Sequence, residues 1–138
     1  MSEELTIYDS EGRKLGSVNV IRKNDDTYQL AQISLPLLRS RFALSFGDTF
    51  TGQPDRQGRF LLTGIIHRAH CRIISLAGLP NAPHLQQLRS HLNRIAAAGG
   101  SWLAEPSSQT LWLALPQSLT LHQEEAAIRH LLGATQCA

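Results

Sequence analysis

Lysine is almost missing from this chain: only Lys14 and Lys23 occur among 13 basic residues, and arginine supplies the rest. Cysteine is equally scarce, with Cys71 and Cys137 alone. Two cysteines in these positions make neither a disulfide framework nor a zinc-ligand spacing. No apolar run approaches the ~20 residues that a membrane helix needs. No charged-then-apolar leader opens the chain, so the expected compartment is the cytoplasm, with no membrane partner. Charged residues make up 17%, below the usual ~25%, which excludes a highly charged disordered or coiled-coil chain. The glycines form neither a GxGxxG nor a GxxxxGKS loop, so no phosphate cradle is visible. No GxSxG elbow holds a serine nucleophile. The expectation is a protein that is not an enzyme and carries no cofactor and no metal.

What the chain does contain is enough apolar residue for a core, 42% in 138 residues, and this length fits a single domain over 1–138. Charge is unevenly placed. Glu3, Glu4, Asp9, Glu11, Asp25 and Asp26 precede residue 27, whereas Arg39 to Arg94 holds eight arginines against Asp48 and Asp55. Arginine grips carboxylate or phosphate through a planar fork, so the middle segment suits an acidic partner or nucleic acid.

Residues 4–8 ("ELTIY"), 15–22 ("LGSVNVIR") and 28–33 read as three strands, antiparallel because their connections are short. Residues 34–48 ("SLPLLRSRFALSFGD") read as an irregular segment or a short helical turn, since Pro36 does not suit a central strand. "TFTG" resumes a strand, "QPDRQG" turns, and residues 59–66 ("RFLLTGII") form the next. There Phe60, Leu62 and Ile66 fall on one face and Leu61 and Ile65 on the other, which predicts that both faces are covered. Residues 71–77 ("CRIISLA") follow as a strand.

The second half has a helical stripe, Leu85, Leu88, Leu92 and Ile95, over residues 84–98. Asn81 can cap it, Pro83 suits its first turn, and Gly99-Gly100 ends it. "SWLAE", a turn at "PSSQ" and "TLWLALP" form a hairpin. Pairing Glu105 with Thr110 sets Leu103 opposite Trp112 and Trp102 opposite Leu113. Trp102, Ala104, Leu111, Leu113 and Leu115 then share the face the helices cover, and Trp112 falls on the other, mixed face. Trp112 there can pack against the N-terminal sheet or anchor a partner. Thr120 with Gln123 makes a capping box for a last helix that packs Leu121, Ile128 and Leu131 or Leu132 and stops at Gly133. The predicted class is therefore α+β: an antiparallel β-rich half (residues 1–70, a small sheet or partial barrel), then a ferredoxin-like βαββα half (residues 71–138).

The segment that looks most like chemistry is "GIIHRAHCRIISLAG" (64–78). In extended chain His67 and His70 point to opposite faces, as do His70 and Cys71. A third ligand would have to come from His84 or His91. Cys71 beside a histidine lacks an orienting third group. The better reading is a polar turn between two strands. His122, Glu124 and Glu125 sit in the first turn of the last helix, where glutamate suits the dipole and an acid/base pair with His122 is the less favoured alternative. Phe42, Phe46, Phe50 and Phe60 lie within the Arg-rich middle but read as core, and the glycine-aromatic signature of an RNA-recognition sheet is missing.

The stretch "YQLAQISLPLLRSRFALSFGDTF…GRFLLTGIIHRAHCRIISL", with the leucine-striped helix and a hairpin ending in "LALP", resembles an uncharacterised family of small bacterial proteins. The matching residues are Ile33 with Pro36, Gly47-Asp48, His70, and Leu115-Pro116, over about residues 28–132. The chain departs from that pattern in its spacing before Pro36 and in lacking a glycine before the histidine. Proteins of this type are often encoded beside polymorphic secreted toxins. The resemblance thus implies an immunity protein that binds and occludes a cognate toxin, such as an ADP-ribosyltransferase or a nuclease. The candidate contact residues are Arg39, Arg41, Arg56, Arg59, Arg68, Arg72 and Trp112. A small RNA-binding module and a small metal-dependent enzyme are the alternatives, and nucleic acid is not the expected partner.

Overall fold

Alternating apolar residues in the first third build strands whose buried sides meet. The computed structural model describes residues 2–69, 71–78, 82–116 and 121–136. The Asn81 cap, the Thr120 capping box, His70 and Cys137 lie outside these, as do the side chains of His84 and Leu121. The chain is α+β and divides into two compact units, Met1–His70 and Cys71–Ala138.

In the first unit, strands β1 (Ser2–Tyr8), β2 (Lys14–Asn24), β3 (Thr27–Leu30), β4 (Thr49–Pro54) and β5 (Phe60–His67) form a closed barrel in chain order. Neighbours pair antiparallel except at the closure, where β1 and β5 run parallel with Ile7 opposite Phe60. Five is an odd number, so an up-and-down meander can close only through a parallel pair. The expected small sheet or partial barrel is thus complete. Ile7, Val18, Val20, Tyr28, Leu30, Phe50 and Leu62 are its buried core. Tyr28 stacks on Phe50 and Phe60 meets both edge-on, with centroids 5.3–6.1 Å apart. Gly52 is required in β4: a Cβ there would lie 2.3 Å from the Leu61 carbonyl oxygen and 2.4 Å from Phe60 Cζ.

Two bulges change the reading of β5. Its pairing steps from Leu62 to Gly64 and from Ile65 to His67 while β4 advances one residue each time. Each extra residue reverses the side-chain alternation beyond it. Ile65 therefore joins Leu62 against the core, while Ile66 is extruded and 58% exposed. Coverage of both faces does not extend to Ile66.

The segment before β4 contains α1 (Leu35–Leu38), a single turn capped by Ser34, whose hydroxyl accepts from Leu37 N at 3.4 Å. Leu37 and Leu44 complete the barrel core.

The second unit holds β6 (Arg72–Ala77), α2 (Ala82–Ala97), β7 (Ser101–Glu105), β8 (Thr110–Leu115) and α3 (Leu121–Gln136). Its antiparallel sheet has the order β6-β8-β7, the βαββα arrangement expected. The hairpin register is the one the sequence predicts: Glu105–Thr110, Leu103–Trp112 and Trp102–Leu113. Leu111, Leu113 and Leu115 pack with Leu88, Leu92 and Ile95 of α2 and Ile128, Leu131 and Leu132 of α3. The expected stop at Gly133 is overturned: α3 continues to Gln136. An interior glycine costs a helix only ~1 kcal/mol relative to alanine, and this one does not end it.

Candidate functional site

The loop between α1 and β4 is fixed at one end of the barrel. Asp48, 2% exposed, is placed there by the Gly47 turn, whose positive φ of 85° a side chain would resist. Its Oδ2 accepts from Ser45 N at 2.9 Å and from Arg68 Nη1 at 3.0 Å; its Oδ1 accepts from Ala69 N at 2.9 Å. The same guanidinium donates to the carbonyls of Ala43 and Phe42, both at 2.8 Å. Arg68 is therefore a clamp across the loop. Arg39 and Arg41 stand exposed on that loop, without an ion-pair partner among the described residues. Ile66 projects from β5 at the same barrel end, because Thr49 pairs with His67.

The other barrel end holds Arg56 and Arg59. Arg56 is exposed in the β4–β5 turn. Arg59 ties that turn together: its Nε donates to Asp55 Oδ2 at 2.7 Å, its backbone N to Asp55 Oδ1 at 2.8 Å, and Nη1 to Gly12 O at 3.4 Å. Its guanidinium lies 5.1 Å from the Tyr8 ring centroid. Desolvation raises the Asp55 carboxyl, but hydrogen bonds from Arg59 and Gln57 and the Arg59 charge outweigh it and hold it below the ordinary range. The strands of β4 and β5 separate the two groups by roughly 17 Å at ~3.3 Å per residue. Arg39, Arg41 and Arg68 thus form one group, and Arg56 and Arg59 another.

In the second unit Arg72 Nη2 lies 2.6 Å from Glu125 Oε1, so this arginine joins β6 to α3. Trp112 is half-buried opposite Leu103, and its Nε1 is enclosed without a hydrogen-bond partner among the described residues. Glu124 finds its partner across the helix pair in His91 (Nδ1 to Oε2, 2.5 Å), with Arg94 Nη1 at 3.3 Å, whereas His122 is exposed. A His91 Nδ1 that donates to Glu124 has no lone pair left for Arg94, so the Arg94 guanidinium serves Oε2. Desolvation raises the Glu124 carboxyl; hydrogen bonds from His91 and Arg94 and attraction to both outweigh it, leaving it below its ordinary value. The sequence separation of these helices hid this cluster.

A groove also opens between α2 and β7, with a volume of about 320 Å³, lined by Leu85, Leu88, Arg89, Leu92, Trp102, Ala104 and Leu111. Trp102 lies on the helix-covered face, as expected, but at its margin and 39% exposed; Leu85 is 40% exposed. Arg89 was not singled out by sequence; its place four residues after Leu85 in the apolar stripe was the available signal.

His67 is exposed at the end of β5, and Cys71 is half-buried just before β6. Among the described residues no three His, Cys, Asp or Glu side chains converge as a metal site, and no helix is long and apolar enough to cross a membrane. No family model and no curated protein matches the chain. It is similar to the crystal structure of a hypothetical protein from Neisseria gonorrhoeae, with a TM-score of 0.47 and 17% identity over 93% of this chain and 90% of that one.

Proposed function

We propose that the chain is an immunity-type inhibitor that binds a cognate bacterial toxin by protein–protein contact, using the Arg39–Arg41 end of the barrel. The carrying observation is a pair of exposed arginines, without an ion-pair partner among the described residues, on a loop that Arg68 and Asp48 immobilise. A loop ordered in advance loses little entropy on docking. Exposed charge of one sign accelerates encounter with an acidic surface and fixes register. The resemblance to small proteins encoded beside secreted toxins points the same way. The RNA-binding alternative is less well supported, because Tyr28 and Phe50 turn into the barrel core instead of offering stacking platforms.

The test is co-purification with the product of the neighbouring gene, followed by association kinetics. Reversing Arg39 and Arg41 to glutamate should slow association about tenfold and flatten its salt dependence, with the fold unchanged. Failure to form a complex, or an association rate indifferent to both reversals, defeats the reading. Salt-sensitive binding to RNA without any protein partner would favour the alternative.

A further inference from the structure

We propose that the groove between α2 and β7 receives an extended, acidic peptide segment of a partner protein, which adds to β7 as a new edge strand. The inference concerns the second unit and is independent of the arginine-rich barrel end. Three observations combine. First, β8 pairs with one side of β7, and no strand pairs with the other among the described residues. Such an edge presents unpaired N–H and C=O groups, and edges of this kind are usually blunted by lysine, proline or inward charge. Ser101–Ala104 contains none of these, and Glu105, which ends the strand, has the parity opposite to Trp102 and Ala104. Second, the groove beside that edge is apolar, and Trp102 and Leu85 at its margins are exposed. Third, the cation at its rim is unmatched: Arg89 has no ion-pair partner among the described residues, and α2 contains no Asp or Glu.

These features select one kind of occupant. Only a polypeptide backbone supplies the alternating donors and acceptors that the edge lacks, and alternate side chains of the added strand would then enter the groove. Trp102 and Ala104 share the groove-facing parity, through pairing with the buried Leu113 and Leu111. An incoming strand would lay apolar side chains beside these two and set a carboxylate against Arg89. A small amphiphilic acid could fill the groove but not satisfy the edge. A second copy of the chain would bring one acid-free α2 towards another.

The experiment is selection of short random displayed peptides on the immobilised full chain, then titration of the best synthetic peptide with amide NMR as readout. The expected peptides alternate apolar residues and carry one Asp or Glu, and they perturb Ser101–Glu105 and the Leu85–Leu92 stretch of α2. Methylating alternate backbone nitrogens of the peptide should abolish binding. Arg89→Glu should weaken it about tenfold, and replacing the peptide acid with its amide should remove that dependence. Arg89 is exposed, so this variant keeps the fold; Trp102→Gln is a second disruption of the same groove. The proposal is overturned by failure to enrich such peptides, by binding indifferent to N-methylation or to Arg89→Glu, by decanoate alone producing the same shifts, or by self-association of the chain that Trp102→Gln abolishes.

Discussion

Arg68 Nη1 sits between the buried Oδ2 of Asp48, at 3.0 Å, and the carbonyl oxygen of Ala43, at 2.8 Å, so one nitrogen joins a loop to its own anchor. Asp48 in turn holds the backbone on both sides, at Ser45 and Ala69. Removing either partner leaves different groups stranded. Asp48→Ala frees two backbone donors and the guanidinium, and should destabilise the first unit by about 3 kcal/mol. Arg68 is half exposed, so solvent softens its loss; Arg68→Ala should cost about 1 kcal/mol and Arg68→Lys nearly as much, for want of the fork. Urea unfolding measures both, and amide exchange at residues 42–47 should quicken in each variant.

Gly52 and Gly64 offer a matched pair. Gly52→Ala drives a methyl group into the Leu61 carbonyl and the Phe60 ring, whereas a Cβ at Gly64 meets nothing within 4 Å. The first should lower stability by about 3 kcal/mol, at the upper end of overpacking costs. Gly64→Ala should be neutral or raise stability by about 0.5 kcal/mol through the unfolded chain. Equal effects in thermal unfolding would contradict the close approach at Gly52.

Leu62 and Ile66 test the bulges of β5. Leu62 is fully buried and Ile66 is extruded. Leu62→Ala should cost about 3 kcal/mol, and Ile66→Ser less than about 0.5 kcal/mol, as for other surface changes. A strand of unbroken alternation would make both substitutions costly.

The Glu124 carboxyl is held below its ordinary 4.5 in the folded chain. Its contribution to stability is therefore complete above that value and is lost as pH falls through the lower folded pKa. Glu124→Gln should be less stable than the parent chain at neutral pH, and the difference should shrink in acid below pH 4.5. Denaturant titrations at several pH values check the direction. A deficit that grows in acid would mean that His91 and Arg94 do not hold this carboxylate.

Local patterns in the sequence carried much of the fold. The register of the β7–β8 hairpin follows from a short turn and the requirement that Leu111, Leu113 and Leu115 share one buried face. The α2 stripe is equally local. The bulges in β5 were not legible, because strict alternation cannot register an extra residue. Closure of β1 on β5 depends on residues more than fifty positions apart, and nothing near Ile7 announces Phe60. The pairing of His91 with Glu124 was hidden for the same reason. The arginines were conspicuous, but composition could not separate Arg59, Arg68 and Arg72, which bind their own chain, from Arg39, Arg41 and Arg56, which have no ion-pair partner among the described residues.

The parallel seam between Ile7 and Phe60 also sets an order of events during synthesis. Strand β1 gains a mate on one side as soon as β2 follows it, but its other side has none until β5 is made. A nascent chain halted near Pro54 would carry two open sheet margins, on β1 and on β4, and would be prone to associate with its neighbours. Completion of "FLLTGIIH" supplies both missing pairings at once, so the barrel changes from sticky to sealed over a span of eight residues.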